Sequence, residues 1–301
     1  MTLKKRKLTL QLIEERLNFL PLLPSVVCEL INLDQDSDDF YEKMAKLTET
    51  DPPLAARVLA IANSASAAPT KPITNIQEAL IRVGVGTIIS LITTLSVAKI
   101  FVPNKPEHKA IWQHSIETAI FARFIASHMP SLQVDKHLAY TCGLLHDIGR
   151  FAMFEISAKS VEVIDSKGWN SPIELPQVEQ HILGFTHAEV GYKAAVKWQL
   201  PKEVQNLIRY HHRYNISMID KAPDSFKNLV ILVQYADLLS VFVEKNPEWP
   251  SWKAEVLRQE IPKYCQHKDW PALEFPLDAI LKSLPDMASE VDEIMGSLRI
   301  H

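Results

Sequence analysis

Glycine is scarce in this chain, eight residues in 301, and only three cysteines occur, Cys28, Cys142 and Cys265. So little glycine argues against a turn-rich β architecture, and no Gly-rich phosphate loop is present. The cysteines lack metal-type spacing and cannot all pair, which suits a reducing compartment and sets the expectation of a cytoplasmic protein. An excess of basic charge is missing too: the net charge is −4, so there is no electrostatic footprint for nucleic acid, and no DNA-reading motif occurs. The local basic run Lys4-Lys5-Arg6-Lys7 reads as a solvated arm, and Glu14, Glu15 and Arg16 interrupt any apolar stretch that would make it a secretory signal. The longest uncharged run, Val83 to Ala98, falls short of the roughly 20 residues a spanning helix needs and reads as a buried helix, so no membrane partner is expected.

Leucine, isoleucine and alanine at helical spacing fill the rest. The pattern predicts helices over about residues 8–18, 24–33, 40–48, 52–63, 75–83 and 86–101, with Pro21 and Pro24 as breakers. Residues 102–106 read as a linker. Further helices are expected over 109–128, 138–148, from Thr186 toward Gln199, from Pro201 to His211-His212, and over 226–244, with weaker ones near 253–259 and 276–298. Gly149 is expected in a left-handed conformation ending the 138–148 helix. Thr186 and Glu189 have capping-box spacing, which puts His187 in a first turn.

The chemistry concentrates in His114, the adjacent pair His146-Asp147, and Asp237. Nitrogen and oxygen donors of this kind suit a first-row transition metal and leave positions open for water or phosphate. Asp237 stands alone among Val230-Ile231-Leu232-Val233 and Leu238-Leu239, where a carboxylate is costly unless it meets a cation. Glu117 and Arg123 share the His114 helix and either approach the site or serve that helix's polar face; His108, His128, His137, His181, His267 and His301 read as surface or loop residues.

The stretch Gly143-Leu144-Leu145-His146-Asp147-Ile148-Gly149-Arg150 resembles the signature of the HD phosphohydrolase superfamily. Leu20-Pro21-Leu22-Leu23-Pro24, Asp51-Pro52-Pro53-Leu54-Ala55-Ala56-Arg57-Val58-Leu59 and Ala62-Asn63-Ser64-Ala65 narrow the resemblance to its HDOD branch, the HD-related output domains of bacterial signalling proteins. Thr186-His187-Ala188-Glu189-Val190-Gly191, Trp198-Gln199-Leu200-Pro201 and His211-His212 continue it, so that it spans roughly residues 15 to 245. It implies an all-α fold: an N-terminal helical HDOD part over 1–105, a multi-helical HD-type core over 106–245, and a helical extension over 246–301.

For the site, the resemblance implies His114, His146, Asp147 and Asp237 as ligands of one metal. His187, His211 and His212 match places where two-metal relatives add histidines, although a His-His pair at a helix C-terminus is also favoured by the helix dipole alone. Arg150 stands where many active relatives carry Lys, so Asp147 and Arg150 are the catalytic candidates. One or two divalent ions are expected, and the donor types admit Fe, Mn, Ni, Zn or Mg. After His212 the chain reads Arg213-Tyr214-Asn215 rather than an acidic residue and a Gly-Tyr-Pro loop, which speaks against cyclic-dinucleotide hydrolysis. The leading expectation is a regulatory output module that retains an HD-type metal site and binds a signalling protein partner, with Asn63-Ser64 and the front helices as its surface. The alternatives are a metal-dependent phosphohydrolase or phosphodiesterase acting on a nucleotide or other phosphoester, and a sensor of such a ligand without turnover.

Overall fold

In the computed structural model the structure describes residues 8–18, 39–49, 73–101 and 106–297, with scattered positions between 29 and 63. Thirteen α-helices have defined bounds among the described residues and no strand occurs among them, so the fold is all-α as expected. The expected 24–33 helix, the breakers Pro21 and Pro24, and most of the 102–106 linker lie outside the described residues, as do Cys28, Ser64 and His301.

Two compact units divide the chain: residues 21–100 with 198–201, and residues 1–20, 101–197 and 202–301. In the first unit, α2 (Phe40–Glu49), α3 (Ile76–Val83) and α4 (Val85–Ile100) close a core of Phe40, Met44, Leu80, Ile88 and Ile92. Asn75 starts α3 by accepting the Glu78 N–H at 2.7 Å. Asn63, one of the residues that carried the family resemblance, is exposed and ties two stretches of chain through its amide: Oδ1 accepts the Ile73 N–H at 2.8 Å and Nδ2 donates to the Ile73 carbonyl at 2.9 Å.

The second unit holds α1 (Leu10–Leu17) and α5 to α13: α5 (Pro106–His128), α6 (Lys136–Leu145), α7 (Ile148–Lys167), α8 (Leu175–Leu183), α9 (His187–Lys197), α10 (Lys202–Tyr210), α11 (Asp224–Lys245), α12 (Ala254–Tyr264) and α13 (Leu277–Ser297). Helix α11 is buried without a break from Leu229 to Phe242 and packs on α5 and α6, while α13 covers α5. By length and composition α11 could cross a membrane, but 78% of its most apolar stretch is buried inside the molecule, and a bent pair, α3 with residues 86–98, would qualify only as a single span.

Three sequence expectations are corrected. Gly149 does not end a helix: α6 stops at Leu145, and Gly149 lies inside α7 with no positive φ. Its role is close approach, because a Cβ there would sit 1.9 Å from the His187 carbonyl oxygen and 2.7 Å from the Gly191 nitrogen. Helices α7 and α8 were not anticipated at all; their apolar spacing is diluted by Glu155, Lys159, Glu162 and Asp165, and Ser157 leaves the helical conformation within α7. His108 is buried against the Phe154 ring at 4.2 Å rather than lying at the surface.

Candidate metal centre

Five helix ends and helix faces deliver the donors. His114 comes from the middle of α5, His146 and Asp147 from the sharp connection between α6 and α7, His187 from the first turn of α9, His211 and His212 from the turn after α10, and Asp237 from the centre of α11. Glycine contacts bring these elements together. A Cβ on Gly143 would lie 2.8 Å from the Thr118 carbonyl oxygen, so α5 and α6 touch backbone to backbone and His146 meets His114; the Gly149 contact with α9 does the same for Asp147 and His187. The Thr186 N–H donates to Glu189 Oε2 at 2.8 Å, completing the capping box that starts α9.

Asp147 is the centre of convergence. Its Oδ1 lies 3.0 Å from His187 Nε2, 3.5 Å from His211 Nε2 and 3.7 Å from His146 Nε2, while Oδ2 lies 3.9 Å from His114 Nε2. Asp237 Oδ1 lies 3.4 Å from His114 Nε2. Two donor groups result, His114-His146-Asp147 and Asp147-His187-His211-His212, each with ligand atoms within 4.8 Å of one another.

The outer ring nitrogens are already committed. His146 Nδ1–H donates to the Gly143 carbonyl at 2.6 Å, His211 Nδ1–H to the Ile208 carbonyl at 2.8 Å, and His187 Nδ1–H to Glu179 Oε2 at 2.7 Å. Ser240 Oγ donates to Glu117 Oε2 at 2.7 Å, so its lone pair accepts His114 Nδ1–H at 3.0 Å. Because carbonyls and carboxylates only accept, Nδ1 is the donor at all four rings, and each Nε2 points inward, where it offers its lone pair once deprotonated. These nitrogens face one another at 3.2 Å (His114 and His146), 3.1 Å (His187 and His211) and 3.0 Å (His187 and His212). Neighbouring ligands on one ion at Zn–N distances of about 2.1 Å sit about 3.0 to 3.4 Å apart.

Asp237 Oδ2 is buried without a hydrogen bond, and Asp147 Oδ1 faces only imidazole nitrogens. An orphaned anionic oxygen in a dry site is costly unless a cation takes it, so the donor set fits a divalent metal.

Charge in the cluster is unevenly distributed. Burial depresses His114 and His187, yet Asp237 and Asp147 hold His114 up at about 9, and Glu179 with Asp147 holds His187 up at about 10. Burial wins at His146, lowered to about 4, and at His212, whose neighbours are other histidines. Asp147 is lowered well below the usual carboxylate range because the surrounding imidazoles outweigh its burial.

A cleft of about 330 Å³ opens beside the cluster, lined in part by His114, Asp147, Arg150, Trp169 and Lys245. Arg150 is buried, donates to both oxygens of Asp165 at 2.9 and 3.1 Å, and lies 5.6 Å from the Trp169 ring centre.

All seven sequence-predicted ligand positions therefore meet in one place, and Arg150 borders it. Glu117 reaches the site through Ser240, whereas Arg123 pairs with Glu290 at 2.6 Å and does not. Sequence reasoning missed Glu179 and Ser240. Glu179 is 1% exposed in α8, and the signal that could have found it is a lone acid on the apolar face of Leu175–Leu183, beside Leu175, Val178 and Ile182.

Comparison with known proteins agrees with this architecture. The HDOD domain family matches residues 20–214, and the chain belongs to that family. An uncharacterized protein of Treponema pallidum is 29% identical over 239 residues, 77% of this chain and 44% of the relative. Ribonuclease Y of Mycoplasma genitalium is 30% identical over 107 residues, 35% of this chain and 16% of that enzyme, so the chain spans less than half of either curated relative. Among solved structures, an HDOD domain protein of unknown function from Geobacter sulfurreducens superposes with a TM-score of 0.67 at 23% identity, covering 94% of this chain and 97% of its own. A protein from Shewanella amazonensis SB2B, provisionally named a phosphohydrolase, gives 0.67 at 21% identity over 95% and 98%. One from Marinobacter aquaeolei VT8, provisionally named a signal transduction protein, gives 0.64 at 21% over 93% and 61%. At these identities the likeness carries the fold.

Proposed function

We propose that this chain is a metal-dependent phosphohydrolase of the HDOD family that holds two divalent ions sharing Asp147. The carrying observation is the convergence on Asp147: one of its oxygens faces His187 and His211, the other faces His114, and every surrounding ring but His212 is anchored through Nδ1. In this reading His114, His146, Asp147 and Asp237 would hold one ion, and Asp147, His187, His211 and His212 the other. When bound, such ions polarise a phosphoryl oxygen and lower the pKa of an attacking water.

The protein's own contribution is placement. Arg150, whose burial is outweighed by the charges of Asp165 and Asp147, keeps a permanent positive fork at the cleft wall, suited to phosphate oxygens. Lys245 donates to the Trp169 carbonyl at 2.9 Å, so cation and indole are fixed together at the rim. The cleft volume of about 330 Å³ and the net charge of −4 favour a small phosphoester over a polynucleotide, and the partial likeness to Ribonuclease Y makes a short RNA a useful control substrate. The buried free thiols Cys142 and Cys265 accord with a cytoplasmic setting.

The test is turnover of p-nitrophenyl phosphate and bis-p-nitrophenyl phosphate, then of nucleotides, by metal-loaded and chelator-treated protein. The proposal expects turnover that chelator and Asp147→Ala abolish. Stoichiometric metal without turnover of any phosphoester would sink hydrolysis in favour of a regulatory module or ligand sensor. One observation supports that second reading: Tyr214, in the loop after His212, is buried against His267 rather than presented to the cleft.

A further inference from the structure

We infer that the two halves of the cluster bind metal unequally, and that Glu179 is the positioning residue that makes the His187 half the firmer one. This inference rests on the metal reading above and deepens it. Glu179 is buried, and a single oxygen, Oε2, accepts two hydrogen bonds from the same residue: the His187 backbone N–H at 2.9 Å and Nδ1–H at 2.7 Å. Main chain and ring are thereby fixed together, and the Nε2 lone pair is aimed at Asp147 with no freedom to turn.

The opposite half has no such grip. Its buried carboxylate, Glu117, does not touch the histidine; it is reached through the rotatable hydroxyl of Ser240, and Gln113 Nε2 donates to its other oxygen at 2.9 Å. Exposure follows the cleft rather than the halves as wholes: His114, which lines it, is 14% exposed and His187 0%, while His146 and His211 are each 1% exposed and His212 is half-buried.

Donor chemistry separates the halves further. Three imidazoles and one carboxylate face the His187 side, whereas two imidazoles and two carboxylates face the His114 side. Imidazole selects transition metals, and carboxylate admits harder ions such as Mg²⁺ and Mn²⁺. The His187 half is thus built to retain a transition metal, and the cleft-side half to exchange its ion with solution.

Titration of metal-free full-length protein with Co²⁺, followed by calorimetry and visible absorption, reads this directly. The wild type should load in two steps at least tenfold apart, and excess Mg²⁺ should displace only the weaker ion. Glu179→Gln should weaken the tight step by about 10- to 100-fold and spare the weak one, while Glu117→Gln should do the reverse. A purely structural role for Glu179, as a cap for α9, would shift both steps alike and lower the melting temperature of the metal-free variant. Two equivalents bound with one affinity, or equal weakening of both steps by Glu179→Gln, overturns the inference. Should Glu179→Gln fail to fold, the Mg²⁺ displacement in the wild type still decides: loss of both Co²⁺ ions or of neither counts against it. A folded wild type that takes no Co²⁺ overturns the metal reading itself, and this inference with it.

Discussion

The buried threonines of one compact unit and the donor cluster of the other satisfy their polar groups in opposite ways. In the unit built on residues 21–100, buried threonines are satisfied by their own helices: Thr48 donates to the Met44 carbonyl, Thr93 to that of Ile89 and Thr94 to that of Ser90, each at 2.8 Å. These bonds are local, four residues apart, and neutral. In the other unit the polar groups that gather around Asp147 are charged or titratable, come from helices far apart in sequence, and leave Asp237 Oδ2 without a hydrogen bond. Both units bury polar atoms, so burial alone does not mark a function. What marks it is polar atoms brought together at a cost to the apo fold, which a ligand would repay.

The comparison breaks most severely at Gly149. Gly149→Ala drives a Cβ into the His187 backbone at 1.9 Å, where no side chain can give way. A loss of about 3 kcal/mol or more is expected in urea unfolding, with separation of Asp147 from His187. Near-wild-type stability would show that the α7–α9 contact does not hold the site.

Asp237→Asn should act next, and only on chemistry. It keeps the shape of α11 but removes a carboxylate 3.4 Å from His114, so the folded variant should carry one metal fewer per chain by elemental analysis. Unchanged metal content would place Asp237 outside the ligand set.

Proton linkage sharpens the contrast further. His114 and His187 are held at about 9 and about 10 against an ordinary 6.5, so in metal-free protein their protonated forms favour the folded state. That contribution is complete below pH 6.5 and is lost as pH rises through about 9 and then about 10. Metal needs both Nε2 atoms deprotonated, so uptake near neutral pH should release about two protons per chain, and affinity should rise with pH. Calorimetry in buffers of different ionisation heat counts them; no proton release would contradict the picture of charged rings.

Thr93→Val, in the first unit, should be the mildest change. Its hydroxyl bond is local, so both donor and acceptor needs are small, and stability should shift by about 1 kcal/mol with metal content unaltered. A loss of metal in this variant would show that the two kinds of buried polar group are not independent.

Much of this contrast is legible in the sequence. Asp237 announces itself as a lone carboxylate in an apolar run, and His146-Asp147 as an adjacent donor pair, because such placements make little sense for a core without a cation. Helices with dense apolar spacing, such as Phe40–Glu49 and Asp224–Lys245, are equally plain. Glu179 is not, because a single acid in a helix looks the same whether it meets water or His187 Nδ1. Gly149 misleads for a related reason: glycine after a helix suggests a left-handed cap, and only the packing of α7 on α9 reveals that the missing Cβ is what matters. Ser240 and Glu117 are linked across 123 positions of sequence, a pairing that local pattern does not encode.

The most direct test of the shared-carboxylate site is metal per chain in the purified wild type and in Asp147→Ala, both loaded with excess divalent metal and then freed of unbound ions. The account predicts two equivalents in the wild type and none in the folded variant, since both halves depend on the one side chain. A folded wild type without metal, or a variant that keeps its full complement, would contradict it.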